Sequence, residues 1–334
     1  MNKHVTTPMW PNIFMLSILI FSIIVMAVIL PVVSFMFFFT TGEEMRMPAW
    51  AGLVLSQAGI IGIPCAVYLL IHRKNIREIL PMRKLGWQNW LMVIAMSIAI
   101  YPVVQLLNVA TGMIFGTPIQ DTMDEIMGTG GIWLMLALVP ILPSIFEEVA
   151  LRGIVFAGYR KVKIFAAAMV NGLFFGILHQ NFNQFSYAFL LGVFMCYFAY
   201  YTKSIWAPVI SHVVINTIGS ILMFVVFNTD WYALEAVYDP YATAPPDMVV
   251  HIITFLILGF IAVASAGIFI AIYIKFRNHN LRRNEAEGII TDEHAAAVSA
   301  GEPIPKVFNV SFLLVCVTGF TVMIGMQILM AVML

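Results

Sequence analysis

Charge is what this 334-residue sequence has least of: Asp, Glu, Lys and Arg make up 10% of it, against about 25% in an average soluble domain. With 61% hydrophobic residues and a mean hydropathy of +0.95, the chain cannot present an ordinary water-facing surface, and an integral membrane protein follows. The 17 basic and 17 acidic residues cancel, so no bulk field points to nucleic acid or to an acidic partner. Cysteine is scarce too. Cys65, Cys196 and Cys316 are odd in number, far apart and each inside an apolar run, which suits neither a disulfide framework nor a thiolate metal site; they read as packing residues. The metalloprotease helix signature H-E-x-x-H is absent, and no internal repeat is evident.

What is present in quantity is apolar sequence in spans of membrane-crossing length, about 20 residues each. They lie near 13–39, 51–72, 88–115, 132–158, 163–180, 184–202, 204–227, 249–274 and 307–334. The expected fold class is therefore all-α, a polytopic transmembrane bundle of about nine helices. The fifth and sixth runs are short and separated only by 180–184, which suggests a re-entrant or tilted hairpin. The first run is longer than a signal-peptide core and lacks a small-residue cleavage signature, so a retained helix is expected.

Loop charge sets the orientation. Segments 72–87, 159–163, 201–204 and 275–306 carry the basic residues, among them Arg73, Lys74, Arg77, Arg160, Lys161, Lys203, Arg282 and Arg283. The intervening loops 40–50, 116–131 and 228–248 are acidic and nearly free of Lys and Arg. Basic residues stay cytoplasmic, which places the N-terminus inside and the C-terminus outside, in a multi-pass protein of the cell membrane, on this reading a bacterial plasma membrane. Trp231, Tyr232, Tyr238 and Tyr241 in the outer loop read as an interfacial aromatic belt. The inner segment from about Asn278 to Pro305, rich in Ala, Gly and Glu, reads as a flexible linker to the last helix. Three sections result: N-terminal helices over 1–131, a core of helices four to seven over 132–227, and the outer loop, eighth helix, linker and ninth helix over 228–334.

One stretch breaks the apolar pattern. In Pro143-Ser-Ile-Phe-Glu-Glu-Val-Ala-Leu-Arg-Gly153, Glu147 and Glu148 are the only acidic residues in the middle of a hydrophobic run. An ionisable group at the bilayer centre costs roughly 3 kcal/mol on insertion scales, so it marks function or pairing. Glu148 and Arg152 are four apart and share a helix face, whereas Glu147 points about 100° away and is left free for chemistry. Two further pairs repeat the anomaly: Phe175-x-x-x-His179 and His212-x-x-x-Asn216, each on one helix stripe. His4, His72, His251, His279 and His294 lie at segment ends or in loops and read as interfacial or solvated.

A carboxylate in a low-dielectric pocket can act as a general base. An imidazole can share its water, bind a metal or donate a hydrogen bond, and a carboxamide N–H can stabilise an oxyanion. Those are the parts of a hydrolase. Two histidines and a glutamate are also the ligand count of a catalytic zinc site, so Glu147, His179 and His212 could hold a metal; these residues alone do not separate metal-free from metal-dependent water activation.

Glu147-Glu148-x-x-x-Arg152, Phe175-x-x-x-His179 and His212-x-x-x-Asn216, in that order on successive membrane helices, resemble the signature motifs of the CAAX-protease and bacteriocin-processing family (CPBP, or Abi), intramembrane proteases related to the type II CAAX prenyl endopeptidases. The text Leu190-Leu191-Gly192 and Lys203-Ser-Ile-Trp206-Ala-Pro208 is similar to the family pattern as well, and the match covers about 132–220. The resemblance implies an intramembrane endopeptidase acting on a peptide or protein substrate within the lipid bilayer. It implies that Glu147 activates the attacking water with His179 as its closest partner, that His212 and Asn216 complete the site and stabilise the oxyanion, and that Glu148 and Arg152, with Phe175, are structural support. The family carries a metalloprotease label, so zinc is the implied metal; because Glu148 is expected to be tied to Arg152, a single carboxylate remains, and a metal-free glutamate mechanism is slightly preferred. Two other classes fit the residues: a proton-coupled transporter using Glu147 and the histidines as a relay, and a protease-like scaffold or immunity protein that does not cleave.

Counted at 1.5 Å per residue from the nearest inner basic residue, Glu147 lies roughly 20 Å deep, His179 about 24 Å and His212 about 13 Å. Straight helices would not bring them level, so kinks are expected at Pro140, Pro143, Gly172 or Gly176. The orientation itself is open to a direct check. A cysteine placed at Asp124 or Tyr238 should label from outside and one at Arg77 or Arg283 only from inside; reversal at either pair would overturn it.

Overall fold

The computed structural model describes residues 7–117, 119–229 and 248–333, without the side chains of 248–254 and 333. The outer-loop aromatics Trp231, Tyr232, Tyr238 and Tyr241, and His4, lie outside the described residues. Within them the chain is helical throughout, with no strand. We number the helices α1 (Met9–Thr41), α2 (Ala49–Ile71), α3 (Trp87–Phe115), α4 (Ile119–Leu138), α5 (141–159), α6 (Ile164–Leu178), α7 (Phe182–Thr202), α8 (Trp206–Phe227), α9 (Met248–Ala286), α10 (Glu293–Ser299) and α11 (Val310–Met333). Eight described spans, with α4 and α5 counted together, are long and apolar enough to cross a membrane, and α6 is a shorter apolar helix of 15 residues.

Two sequence expectations change. The segment 116–131 is not a loop: from Ile119 it is the first half of α4, which bends at Gly131 (φ 60°, ψ −162°), a conformation that a side chain would make costly. The inner segment after Asn278 is not a flexible linker either. Helix α9 continues through Ala286, and α10 is started by Asp292, whose Oδ1 accepts from the Ala295 amide at 3.0 Å. Acidic residues of this segment then meet the basic loops. Glu287 pairs with Arg83 at 2.7 Å, Glu293 with Lys203 at 2.9 Å and Glu302 with Lys161, while His294 Nδ1 bonds the Lys161 carbonyl at 2.9 Å.

Polar contacts between helices do the rest of the fixing, because apolar side chains find lipid as good a partner as protein. Asn89 of α3 and Asn280 of α9 exchange hydrogen bonds at 3.1 and 2.7 Å. Ser97 of α3 bonds Ser211 of α8 at 2.8 Å. Fully buried Asn12 accepts from Tyr159 Oη at 2.7 Å and donates to Ser311 at 3.3 Å, tying α1, α5 and the start of α11 together.

Helices α6 and α7 cross closely. A Cβ on Gly192 would stand 2.6 Å from the Gly172 Cα, and one on Gly172 would stand 2.6 Å from the Phe189 carbonyl oxygen. Gly172 and Gly176 therefore serve contact with α7 rather than a kink, since α6 runs unbroken across both. The irregular backbone lies elsewhere, in π-helical segments at Val25–Ile29, Leu55–Gly62 and Val149–Val155. The last follows the glutamate pair directly.

The docking of the inner segment carries a pH signature. Hydrogen bonds from Arg83 and Arg283 hold the Glu287 carboxyl below its ordinary value. A lowered carboxylate contributes stability above its unfolded-state value and loses it as pH falls through the folded one. At neutral pH, Glu287→Gln should therefore speed tryptic cleavage after Arg283, whose Nε loses a partner at 3.0 Å; an unchanged rate would show that this pair does not hold the segment.

Candidate active site

The site begins with a fully desolvated ion pair. Arg152 Nη1 donates to Glu148 Oε1 at 2.9 Å, and neither side chain has any exposure. The four-residue spacing thus survives the π-helical segment between them. The guanidinium has two more partners: Nη2 donates to the Gly192 carbonyl at 3.3 Å, and its carbon stands 4.6 Å from the Phe175 ring centroid. Phe175 is also edge-on to both imidazoles, 4.9 Å from His179 and 5.6 Å from His212. One aromatic ring therefore lies between the arginine and the two histidines.

Glu148 has a second role that its spacing did not reveal. His212 Nδ1 lies 2.9 Å from the same Oε1 that Arg152 holds. A carboxylate only accepts, so Nδ1 carries the proton and Nε2 is turned the other way. That nitrogen faces Glu147, 3.9 Å from its Oε2. His212 rather than His179 is thus the imidazole nearest the free carboxylate. His179 directs Nδ1 at the Phe175 carbonyl, 2.8 Å away, which likewise leaves its Nε2 outward.

Glu147 is itself held on one side only. Gln57 Nε2 donates to Oε1 at 2.9 Å, while Oε2 is buried without a protein partner. Gln57 sits in the π-helical part of α2, and five residues on, Gly62 lies so close to Phe146 that an added Cβ would stand 2.8 Å from its ring. This close approach brings α2 against the glutamate pair. Sequence reasoning missed Gln57. Its signal, a lone carboxamide in an apolar run, is weak beside an intramembrane charge.

Glu147, His179, His212, Asn216 and Gln57 all line one cavity of about 730 Å³, whereas Glu148 and Arg152 do not reach it. Asn216 donates to the Val139 carbonyl at 3.2 Å, which secures it at the break between α4 and α5 and leaves its second amide hydrogen. The count along straight helices sets Glu147 and His212 at different depths, yet they stand 3.9 Å apart. Lys203 is covered by the segment after α9, its ammonium bonded to the Thr291 carbonyl at 3.0 Å and to Glu293 at 2.9 Å, and burial lowers its pKa. The residues do not fit the zinc that the resemblance implies: among the described residues no three His, Cys, Asp or Glu side chains are grouped to hold a metal ion. His179 shares the cavity with Glu147 and His212 without converging on them as a ligand set.

Comparison with known proteins falls on this same region. Residues 129–218 match the family model described as type II CAAX prenyl endopeptidase Rce1-like, a segment that contains every one of the motif residues from Glu147 to Asn216 and excludes Gln57. A relative in Bacillus subtilis (strain 168), named "Putative membrane peptidase YdiL", is 31% identical over 85 residues. Those residues are 25% of this chain and 35% of the relative, so the chain spans about a third of the length of the curated relative it matches. No solved structure matches the chain.

The ion pair predicts how the two carboxylates differ. Breaking a buried pair by removing one partner costs about 3–5 kcal/mol. Glu148→Gln and Arg152→Gln should each lower the thermal midpoint in detergent, and Glu148→Gln should in addition free the His212 ring. Midpoints equal to that of the wild type would refute the structural role of the pair.

Proposed function

We propose that this protein is a membrane endopeptidase of the Rce1-like kind, hydrolysing a peptide bond inside the 730 Å³ cavity with water activated by Glu147. The observation that carries the reading is the gap between Glu147 Oε2 and His212 Nε2. At 3.9 Å it is too long for a hydrogen bond and of the length that one bridging water spans. Gln57 fixes the other carboxylate oxygen, and Glu148 fixes the imidazole, so both groups are oriented before substrate arrives.

In this reading His212 acts with a proton on each ring nitrogen, Nδ1–H toward Glu148 and Nε2–H toward the cavity, while Glu147 acts as the carboxylate base. In the reaction the attacking water gives a proton to Glu147 as its oxygen bonds to the scissile carbonyl. The oxyanion that forms is met by Nε2–H of His212 and by the amide hydrogen of Asn216 not used by Val139. Glu147 then passes its proton to the departing amine, the C–N bond breaks, and a carboxylic acid and an amine are released. His179 lines the same wall, where it adds a second imidazole to substrate binding or proton transfer.

Glu147→Gln should lower cleavage about 10²–10⁴-fold, the usual worth of a positioned general base, with an unchanged thermal midpoint. Retained activity would remove the mechanism. Residues acting as one unit are not additive, so the double variant His179→Ala with His212→Ala should be hardly slower than His212→Ala alone; multiplicative losses would mean separate duties. Cleavage should survive exhaustive chelation, and stoichiometric zinc lost together with activity would overturn the metal-free form.

A further inference from the structure

Among the described residues, three side-chain atoms of the cavity lining are buried without a hydrogen-bond partner: Gln57 Oε1, Glu147 Oε2 and Ser220 Oγ. The first two adjoin the reacting centre, where Gln57 holds Glu147. Ser220 does not. It stands on α8, one turn beyond Asn216 and two beyond His212, and is 4% exposed. Helical hydroxyls have a default partner, the carbonyl three or four residues earlier. Ser22, Ser97, Ser144, Thr202 and Ser265 are buried in helices like Ser220, and each takes that bond. Ser220 leaves it unmade. A buried polar group without a partner is costly and calls for an explanation, and the hydrolytic step makes no use of this hydroxyl. Its neighbour Gly219 also lines the cavity, and a Cβ there would meet, outside its own helix, only the Tyr101 hydroxyl at 3.5 Å. The wall at this turn is thus open to the close approach of another backbone.

We propose that Ser220 binds the main chain of the substrate, its hydroxyl donating to the carbonyl two residues from the scissile one. The inference rests on the peptidase reading of the cavity and adds to it a residue that fixes the course of the bound peptide. Four residues of helix rise about 6 Å. Two residues of extended chain advance about 6.6 Å and bring the next carbonyl to the same edge. A peptide lying along α8 with its scissile oxygen at the Asn216 amide therefore presents that next carbonyl at Ser220. Rotation about χ1 carries a serine hydroxyl from one staggered position to another, so a buried Oγ swings to the cavity when an acceptor arrives. A hydroxyl suits the place because it donates without charge and needs no counter-ion in the empty cavity. Main-chain carbonyls recur in every peptide, so the contact sets register without reading side chains. Asn216 meets the reacting carbonyl and Ser220 a fixed point beside it, and this two-point hold decides which bond lies over Glu147.

The test uses the full chain in lipid nanodiscs, with Glu147→Gln as a trap that binds without cutting. A fluorescent peptide retained by the trap from a degenerate library serves as probe, with a series in which a trans-alkene replaces each amide in turn. Adding Ser220→Ala to the trap should weaken the all-amide probe about tenfold, the worth of one good hydrogen bond. A single alkene copy should lose the same factor against the trap and nothing further once Ser220→Ala is present, and its missing carbonyl should lie two residues from the bond that the wild type cuts. The thermal midpoint of Ser220→Ala should not fall, because no bond within the protein is lost; a fall would make the hydroxyl structural. Equal affinity with and without the hydroxyl, coupling to a different amide, or no retained peptide would each overturn the inference. Failures of the two readings separate. Coupling at one amide in a peptide that the wild type does not cut would sink the peptidase reading and leave Ser220 a main-chain anchor, whereas a peptide cut normally whose affinity ignores Ser220 would sink the anchor alone.

Discussion

A single buried carboxylate oxygen, Glu148 Oε1, organises the site. It receives Arg152 and His212 at 2.9 Å each, with no exposure of either partner of the ion pair. Burying a charge in a membrane interior is tolerable only when its partners are present and well placed. Each partner is therefore constrained by what surrounds it. Arg152 must reach the Gly192 carbonyl, which requires α6 and α7 to cross where both are glycine. His212 must stand level with Glu148, which requires α8 to start beneath the inner segment. The packing of three helices is thus dictated by how one charge is neutralised.

The two adjacent glutamates show how neighbours in sequence acquire different chemistry. Glu148 points into protein and is saturated on one oxygen by two cationic or protonated donors. Glu147, one residue earlier, points into the cavity and meets a neutral carboxamide from a helix 90 residues away. A neutral donor orients a carboxylate without cancelling its charge. A lysine or arginine at position 57 would hold the same oxygen more strongly and cancel that charge. That difference gives Gln57 a physical reason to be uncharged.

Much of this was legible in the sequence, and the part that was not has identifiable causes. Intramembrane Glu147, Glu148, Arg152, His179 and His212 stood out because ionisable groups in apolar runs are expensive, and the i, i+4 spacing correctly assigned Arg152 to Glu148. The helical fold followed from apolar run lengths. What spacing does not encode is contact between distant helices: the Gln57 bond, the second partner of Glu148, and His212 lying nearer than His179 to Glu147. The inner segment was misread because its composition is that of a linker. Its glutamates acquire partners only once Arg83, Lys161 and Lys203 are brought beneath it.

Charge is also segregated along the bundle. Apart from the contacts of Glu147 and Glu148 with Arg152 and His212, every ion pair among the described residues either joins the basic loops to the segment 283–302 or lies within that segment. At that end, salt bridges and backbone carbonyls bind the α2–α3, α5–α6 and α7–α8 connections to one acidic strap. Within the cavity wall the same work of fixing backbone and side chains falls to amides and hydroxyls, which need no counter-ion. This division has a mechanical reason. An ion pair lining the cavity would have to be desolvated there. Confining ionic contacts to the strap leaves the cavity with one carboxylate and two imidazoles as its only titratable acid–base groups besides tyrosine.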